Sequence, residues 1–137
     1  MLTSIQAYSQ VIYEFLDSHP RIQQHTVRIY LQGATVGILE GEVVFEQGII
    51  LFLYERLDFL RQQIMLYSYE VRQRGEKLYW YDPQPHPENP ALAVNFPHHK
   101  HTPPDIKHHR ISAPDISFTQ ANLPFLVAEI ERMIAIG

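Results

Sequence analysis

From His25 the chain adopts a period of two, in which Val27, Ile29 and Leu31 alternate with Arg28 and Tyr30, and four further strand-like segments follow up to Asp82. This run of segments constrains the fold more than any other feature of the chain. A period of two is typical of a strand with one buried face. The connections are short: Gly33 turns the chain, 46–48 forms a hairpin loop with glycine in the left-handed position, and 74–76 forms another tight turn. Successive strands joined in this way predict an antiparallel meander. The predicted strands are His25–Leu31, Val36–Phe45, Ile49–Arg56, Gln63–Arg72 and Lys77–Asp82, and the connection over 57–61 is predicted as a bulge or a short helical turn.

Helical spacing replaces the period of two at both ends of the chain. From Ser4 to Ser18 the apolar residues fall on one face, and Ser4 is the predicted N-cap. A second helix is predicted from Leu123, with Asn122 as its N-cap and Pro124 in its first turn. The sequence therefore predicts an α+β fold, in which one antiparallel meander sheet of about five strands carries the N- and C-terminal helices on one face.

Composition narrows the class of protein. A length of 137 residues with 45% hydrophobic content suits a single domain, residues 1–137. There is no cysteine, which excludes disulfides, thiolate metal sites and a cysteine nucleophile. No apolar run approaches the roughly 20 residues that span a bilayer, and the N-terminus lacks a signal-peptide pattern, so we expect a cytoplasmic protein with no membrane partner. The net charge of -4 does not favour nucleic acid, which leaves a local basic patch over 97–110 for any such contact.

The segment 83–117 interrupts the strand pattern. Seven of the ten prolines fall within 83–104, and six of the eight histidines fall within 86–109. Proline fixes its own backbone and removes a hydrogen-bond donor, so it disrupts helices and sheets alike. We therefore expect 83–117 to be an irregular segment within the domain, which presents imidazoles beside the sheet edge that follows Asp82.

The run His98-His99-Lys100-His101 is the densest part of this segment. Histidine transfers protons near neutral pH: one imidazole could take a proton from an attacking 2′-hydroxyl while another group protonates the leaving oxygen. A lysine or arginine would stabilise the charge that develops on phosphate. Neutral imidazoles also bind zinc, and Asp82 could add a ligand, but adjacent histidines usually point in different directions and no metal-ligand spacing is present. We predict metal-independent chemistry without a cofactor; a metal site and a surface cluster without function are the alternatives.

Aromatic residues are concentrated on the two strands before this segment. They are Tyr67 and Tyr69, with Arg72, on one strand, and Tyr79, Trp80 and Tyr81, with Asp82, on the next. Cross-strand aromatic pairs ordinarily stabilise a sheet. In a functional interpretation, the rings form a stacking surface for bases with an arginine beside a phosphate. Asp82 would then orient an imidazole or fix the turn into the histidine segment.

A family resemblance rests on two motifs. The string Phe96-Pro97-His98-His99-Lys100-His101 resembles the FPHHKH motif of TumE-like proteins, which are toxin components of bacterial toxin–antitoxin pairs. Upstream, Tyr81-Asp82 followed by Pro85-His86 is similar to that family's second signature, although Pro83 and Pro87 stand where it usually has asparagine and a second histidine. The resemblance spans nearly the whole chain, and it implies a toxin whose partner is a cognate antitoxin protein.

Residue types and resemblance together predict cleavage of an RNA substrate by metal-independent acid–base catalysis. The expected catalytic residues are His98, His99, His101, Lys100, Asp82 and His86, and the expected substrate-binding residues are Tyr67, Tyr69, Arg72 and Tyr81. Two alternatives remain open: a non-catalytic module that binds nucleic acid or a protein partner, and a metal-dependent hydrolase with histidine ligands.

Overall fold

One antiparallel sheet organises the molecule. The computed structural model describes residues 2–83, 98–102, 110–113 and 115–136, without the side chains of residues 99, 110–112 and 136. Within these residues the helices are α1 (Ile5–Ser18) and α2 (Leu123–Ile136), and the strands are β1 (Ile22–His25), β2 (Arg28–Leu31), β3 (Val36–Phe45), β4 (Ile49–Asp58), β5 (Gln63–Gln73), β6 (Glu76–Asp82), β7 (His99–His101) and β8 (Arg110–Ser112). Since β1 and β2 pair with successive halves of β3, the described sheet is seven strands wide, and from β3 to β8 the strands follow chain order.

Left-handed turn residues close the two central hairpins. Between β3 and β4, Gln47 and Gly48 have φ of 64° and 74°. Between β5 and β6, Arg74 and Gly75 have φ of 50° and 86°. Positive φ matches the twist of a hairpin, and glycine adopts it without steric cost. The predicted antiparallel meander over β3–β6 is confirmed.

The edge beside β3 differs from the prediction of one strand over His25–Leu31. Gly41 has φ of +152°, and a Cβ added there would lie 2.6 Å from the Cα of Val27. The chain therefore crosses very close to β3 at this point, where the Thr26 amide donates to the Glu42 carbonyl over 2.9 Å. Such an irregularity interrupts regular pairing. It separates β2, which covers the C-terminal part of the predicted strand, from β1, which begins before that strand at Ile22.

Two further strands lie where irregular structure was expected. β7 and β8, each of three residues, fall inside the segment 83–117 and extend the sheet beyond β6. The expectation of about five strands was therefore too low, because edge pairing recruited short segments that have no strand pattern of their own. The assignment of residues 1–137 to a single domain stays a prediction.

The connection over 57–61 consists of the last two residues of β4 followed by a turn. The register between β4 and β5 shifts between Arg56 and Leu57. The strand then continues to Asp58, whose Oδ1 accepts hydrogen bonds from the amides of Leu60 and Arg61 over 3.0 and 2.9 Å. A short polar side chain that bonds the amides two and three residues ahead stabilises a turn. The extra residue at the register shift is Met65 of β5, so the bulge lies on the opposite strand and not within 57–61, where it was predicted.

Both helices pack on the same face of the sheet, as predicted. α1 begins after Ser4, whose Oγ accepts from the Ala7 amide over 3.1 Å, and it buries Tyr8, Ile12 and Leu16. We call this side the helix-covered face; its residues on the central strands are Leu51, Leu53, Glu55, Tyr67, Tyr69, Val71, Tyr79 and Tyr81. The opposite, helix-free face carries Phe52, Tyr54, Ser68, Glu70, Trp80 and Asp82. In the described part of the chain, neither helix is long and apolar enough to cross a membrane.

Candidate functional site

The pairing of β7 with β6 determines where the histidine string lies. His101 pairs with Trp80, Lys100 with Tyr81, and His99 with Asp82. Paired residues of neighbouring strands share a face, and successive residues alternate between faces. Lys100 therefore belongs to the helix-covered face and His101 to the helix-free face.

His101 is held by an aromatic ring and a carboxylate. Its Nε2 lies 2.9 Å from Asp82 Oδ2, and its ring stacks on Trp80 with centroids 4.2 Å apart and planes tilted by 17°. Trp80 Nε1 donates to the same Asp82 oxygen over 3.2 Å. Because an ionised carboxylate only accepts hydrogen bonds, this contact places a proton on Nε2. The arrangement orients an imidazole, as the sequence predicted for Asp82, and His101 is 2% exposed.

Lys100 contacts the C-terminal helix. Its Nζ lies 2.7 Å from Glu129 Oε2 and 4.2 Å from the centre of the Tyr79 ring. The Tyr81 hydroxyl donates to both oxygens of Glu129, over 3.0 and 2.9 Å. Burial, together with the nearby Glu129 carboxylate, raises the pKa of Tyr79 and of Tyr81. These contacts attach α2 to β6 and β7, which is a structural role for the lysine.

His98 precedes β7 and is buried on the helix-covered side. Its Nδ1 lies 2.7 Å from the Tyr67 hydroxyl, and its ring contacts Phe118 with centroids 4.4 Å apart. Burial lowers the pKa of His98 because it disfavours the charged imidazolium. Burial also raises the pKa of Tyr67. This histidine is suited to packing in its neutral form.

Tyr69 lies in a buried hydrogen-bond network that the sequence analysis did not anticipate. Its hydroxyl and that of Tyr8 each donate to Glu55 over 2.5 Å, and Asn122 Nδ2 donates to Tyr69 over 2.9 Å. Burial raises the pKa of Glu55 and of both tyrosines. The amide of Asn122 also bonds Ser117, so its side chain joins this network rather than the first turn of α2. A signal for Glu55 was present, because it occupies an inward position among Leu51, Leu53 and Leu57 of β4.

The three tyrosines that were expected to bind substrate are buried. Tyr67, Tyr69 and Tyr81 have at most 2% of their surface exposed, under the two helices. A base cannot stack on these rings while the helices are in place. In this arrangement the three rings support the sheet and the histidine string from behind, and their role in substrate binding stays a prediction.

Arg72 and Lys77 are cations on the helix-free face, and both contact Glu70, which is opposite Trp80 in the register. Arg72 Nε lies 2.6 Å from Glu70 Oε2, and Lys77 Nζ lies 2.9 Å from Glu70 Oε1. The Arg72 guanidinium lies 5.6 Å from the Phe52 ring centre, and the Lys77 ammonium lies 4.5 Å from that of Trp80. The two cations hold the pKa of Glu70 below its ordinary value, against the opposite effect of burial. Among the two, Lys77 was not identified from the sequence.

A cleft of about 380 Å³ lies beside Trp80 and Asp82 on this face, and Tyr54, Ser68, Glu70 and Lys77 contribute to its walls. Its volume is within the usual range for small-ligand sites, roughly 300–1,000 Å³. Its walls combine aromatic rings, a hydroxyl, carboxylates and an ammonium. Such a set can stack on a planar group and bond its polar edges.

The side chains of His86 and His99 are not described, and the described residues contain no cluster suited to a metal ion. His86 lies outside the described residues, and for His99 only the backbone position opposite Asp82 is described. Across 2–83, 98–102, 110–113 and 115–136, no group of three or more His, Asp or Glu side chains is arranged to hold a metal ion. Metal-independent chemistry without a cofactor stays a prediction.

Comparison with known proteins identifies the family. The family model described as Toxin TumE matches residues 12–134, which confirms the resemblance seen in the histidine string. No curated protein and no solved structure matches the chain. Because the matched region covers far more than half of the 137 residues, the chain belongs to the TumE toxin family.

Proposed function

We propose that this toxin acts in the cytoplasm, pairs with a cognate antitoxin protein, and cleaves RNA by metal-independent acid–base chemistry centred on His101. The observation that carries the proposal is the contact of His101 Nε2 with Asp82 beside the ring of Trp80, at the edge of a polar and aromatic cleft. A carboxylate that holds one nitrogen of an imidazole fixes its tautomer and supports proton transfer at the other.

In the proposed reaction, Nδ1 of His101 takes the proton of a ribose 2′-hydroxyl. The 2′-oxygen attacks the adjacent phosphorus, the bond to the 5′-oxygen breaks, and that oxygen leaves with a proton from a second acid. The products are a 2′,3′-cyclic phosphate and a 5′-hydroxyl. His99, opposite Asp82 in the register, is the proposed second acid. Since His101 is 2% exposed, the groups that cover its ring have to move before a substrate can reach the imidazole.

Cations on the helix-free face would stabilise the phosphate. Lys100 was expected in this role, but its ammonium is paired with Glu129 on the other face. Lys77 lies over the Trp80 ring and Arg72 over the Phe52 ring, on the same face of the sheet as His101. We therefore assign phosphate binding to these two residues and a supporting role to His98 and Lys100.

Toxicity and RNA integrity, followed after induced expression, test the proposal. His101→Gln is the informative variant, because the glutamine amide can still donate to Asp82 while it cannot transfer a proton. Acid–base catalysis typically contributes about 10²–10⁴-fold, so we expect this variant to lose nearly all toxicity and cleavage. His25→Gln, a histidine on β1 at the far edge of the sheet, is the matched control and should remain toxic.

Three outcomes separate the alternatives. Cleavage by purified wild type that persists in EDTA supports the metal-independent mechanism, whereas cleavage lost in EDTA and restored by one divalent metal supports the metal-dependent hydrolase. Full toxicity of a folded His101→Gln variant would contradict the assignment of His101. Toxicity of wild type with intact RNA would contradict RNA cleavage itself.

A non-catalytic binding module is the second candidate. The observation in its favour is that His98 and Lys100, half of the four-residue run, are engaged in packing against Tyr67 and Glu129. A string that only stabilised the sheet edge would tolerate His101→Gln in every functional assay. Retained toxicity in that variant, together with intact RNA, would therefore favour the binding module.

A further inference from the structure

Two cavities on the helix-free face meet at Tyr54. One is the cleft of about 380 Å³ that reaches Trp80 and Asp82. The other, of about 720 Å³, reaches Arg28 and Glu40, and Tyr54 lines both. The two cavities are therefore adjacent, with Tyr54 between them, and we call the pair the cross-sheet groove.

The register shows that the cross-sheet groove runs across the strands. Tyr54 on β4 pairs with Glu40 on β3 and with Ser68 on β5. Phe52 is the neighbouring β4 residue on the same face, and it lies opposite Glu42 and Glu70. Neighbouring strands are about 4.8 Å apart, so the path from β2 to β6 is about 19 Å long. It ends at Asp82, beside His101.

Aromatic rings and cations recur along this path. Arg72 lies over the Phe52 ring and Lys77 over the Trp80 ring, at the distances given above. At the far end of the groove, Arg28 bonds Glu40, which lines the same cavity. Rings on an open sheet with cations beside them are the usual platform for single-stranded nucleic acid, because every base has a face that can stack and every nucleotide a phosphate.

We propose that the cross-sheet groove binds single-stranded RNA, with a base stacked on Tyr54, and leads the strand to His101. This inference rests on the proposed function and adds the place and the strandedness of the substrate. A protein partner is the competing occupant. Because the carboxylates of Glu40, Glu42, Glu70 and Asp82 also line the groove, the exposed face of the aromatic rings, and not charge, favours RNA. Since the cations are already paired with Glu40 and Glu70, stacking rather than charge supplies most of the affinity.

Fluorescence anisotropy with a short labelled single-stranded RNA tests the groove. Measurements use the full chain carrying His101→Gln, so that the RNA stays intact during titration. Loss of one stacked base should weaken binding about 5- to 140-fold, so we expect this loss for Tyr54→Leu. Tyr54→Phe keeps the ring and should bind as the parent does.

Leu60→Ala is the control, because Leu60 is a 74% exposed apolar side chain that lines neither cavity. Equal affinity for Tyr54→Leu and the parent, or no RNA binding by the parent, would overturn the groove as an RNA site. The second of these results is the one expected for a groove that holds a protein. Cleavage by wild type with no effect of Tyr54→Leu leaves the proposed function intact and refutes only the groove. RNA binding that depends on Tyr54, with no cleavage by wild type, supports the groove and refutes the proposed cleavage.

Discussion

Replacing Lys100 with methionine separates a structural from a catalytic role for the most basic residue of the histidine string. The structure places its ammonium 2.7 Å from Glu129 of α2, with the two side chains 19% and 15% exposed. Methionine keeps much of the chain length and removes the charge. We expect Lys100→Met to destabilise the fold and to reduce toxicity only to the extent that the protein unfolds.

The magnitude follows from partial burial. At 2.7 Å and an effective dielectric constant of about 20, the Coulomb attraction is about 6 kcal/mol, but desolvation costs several kcal/mol per ion. Truncating one partner of a fully buried pair costs about 3–5 kcal/mol, and an exposed pair contributes about 0–1 kcal/mol. For this pair we expect a loss of about 2–3 kcal/mol. With an unfolding entropy of roughly 2.1 cal/mol/K per residue, that loss lowers the Tm by about 7–10 °C.

Thermal unfolding of four proteins provides the assay. They are the wild type, Lys100→Met, Glu129→Gln and the double variant. Glutamine still accepts a hydrogen bond from Tyr81 and leaves no unpaired carboxylate, so the double variant should recover part of the stability lost in Lys100→Met. Arg21→Met is the control, because the Arg21–Glu46 pair is 42% and 47% exposed and should change the Tm little.

Toxicity of the same variants decides the role. If Lys100 only attaches α2, toxicity should follow the Tm across the series, and the double variant should be more toxic than Lys100→Met. Two results would refute this reasoning: a Tm of Lys100→Met as high as that of Arg21→Met, or a double variant that regains stability and remains non-toxic. Either result would favour a role for Lys100 in contacting the substrate.

Three further predictions concern pH dependence and close packing. Burial lowers the pKa of His98, so its contribution to stability is present above the ordinary pKa of about 6.5 and is lost as pH falls through the folded value. On acidification, the free energy of unfolding measured in urea should fall more for wild type than for His98→Asn. Burial raises the pKa of Glu55, so the stability it contributes is present below the ordinary value of about 4.3 and is lost as pH rises through the folded value. Glutamine resembles the protonated acid, so calorimetry should show Glu55→Gln to be at least as stable as wild type at neutral pH. In acid, the variant should not be more stable than wild type. Gly41→Ala should cost at least about 1 kcal/mol in urea unfolding because its Cβ would lie 2.6 Å from Val27, and more than Gly33→Ala, where a Cβ at φ +101° meets no atom within 4 Å.

The central meander and the helix positions were predictable because their causes are local. β4, β5 and β6 bury alternate residues over most of their length, and turn residues that tolerate positive φ join β3 to β4 and β5 to β6. The apolar stripe of α1 and its cap at Ser4 are likewise written in neighbouring residues. The FPHHKH string identified the family without reference to any fold, as the match to residues 12–134 confirms.

The sheet edges were not predictable because their causes are contacts between distant segments. β7 has no apolar alternation, and it forms because β6 presents an unpaired edge to it. The division between β1 and β2 depends on the close approach of Val27 to Gly41 on β3. Neither contact leaves a periodic signal in the sequence.

The sequence by itself determined which residue types meet near the end of β6: histidines, a lysine, an aspartate and aromatic rings. Only the tertiary structure decided which of them share a face. Side chains alternate along a strand, so a shift of one residue in the pairing of β7 would exchange the surroundings of Lys100 and His101. In the register observed, Lys100 contacts Glu129 under α2, and His101 stacks on Trp80 beside Asp82 on the other face. The string His98-His99-Lys100-His101 is the same in either register, so backbone pairing between strands distant in sequence separates its structural residues from its candidate catalytic ones.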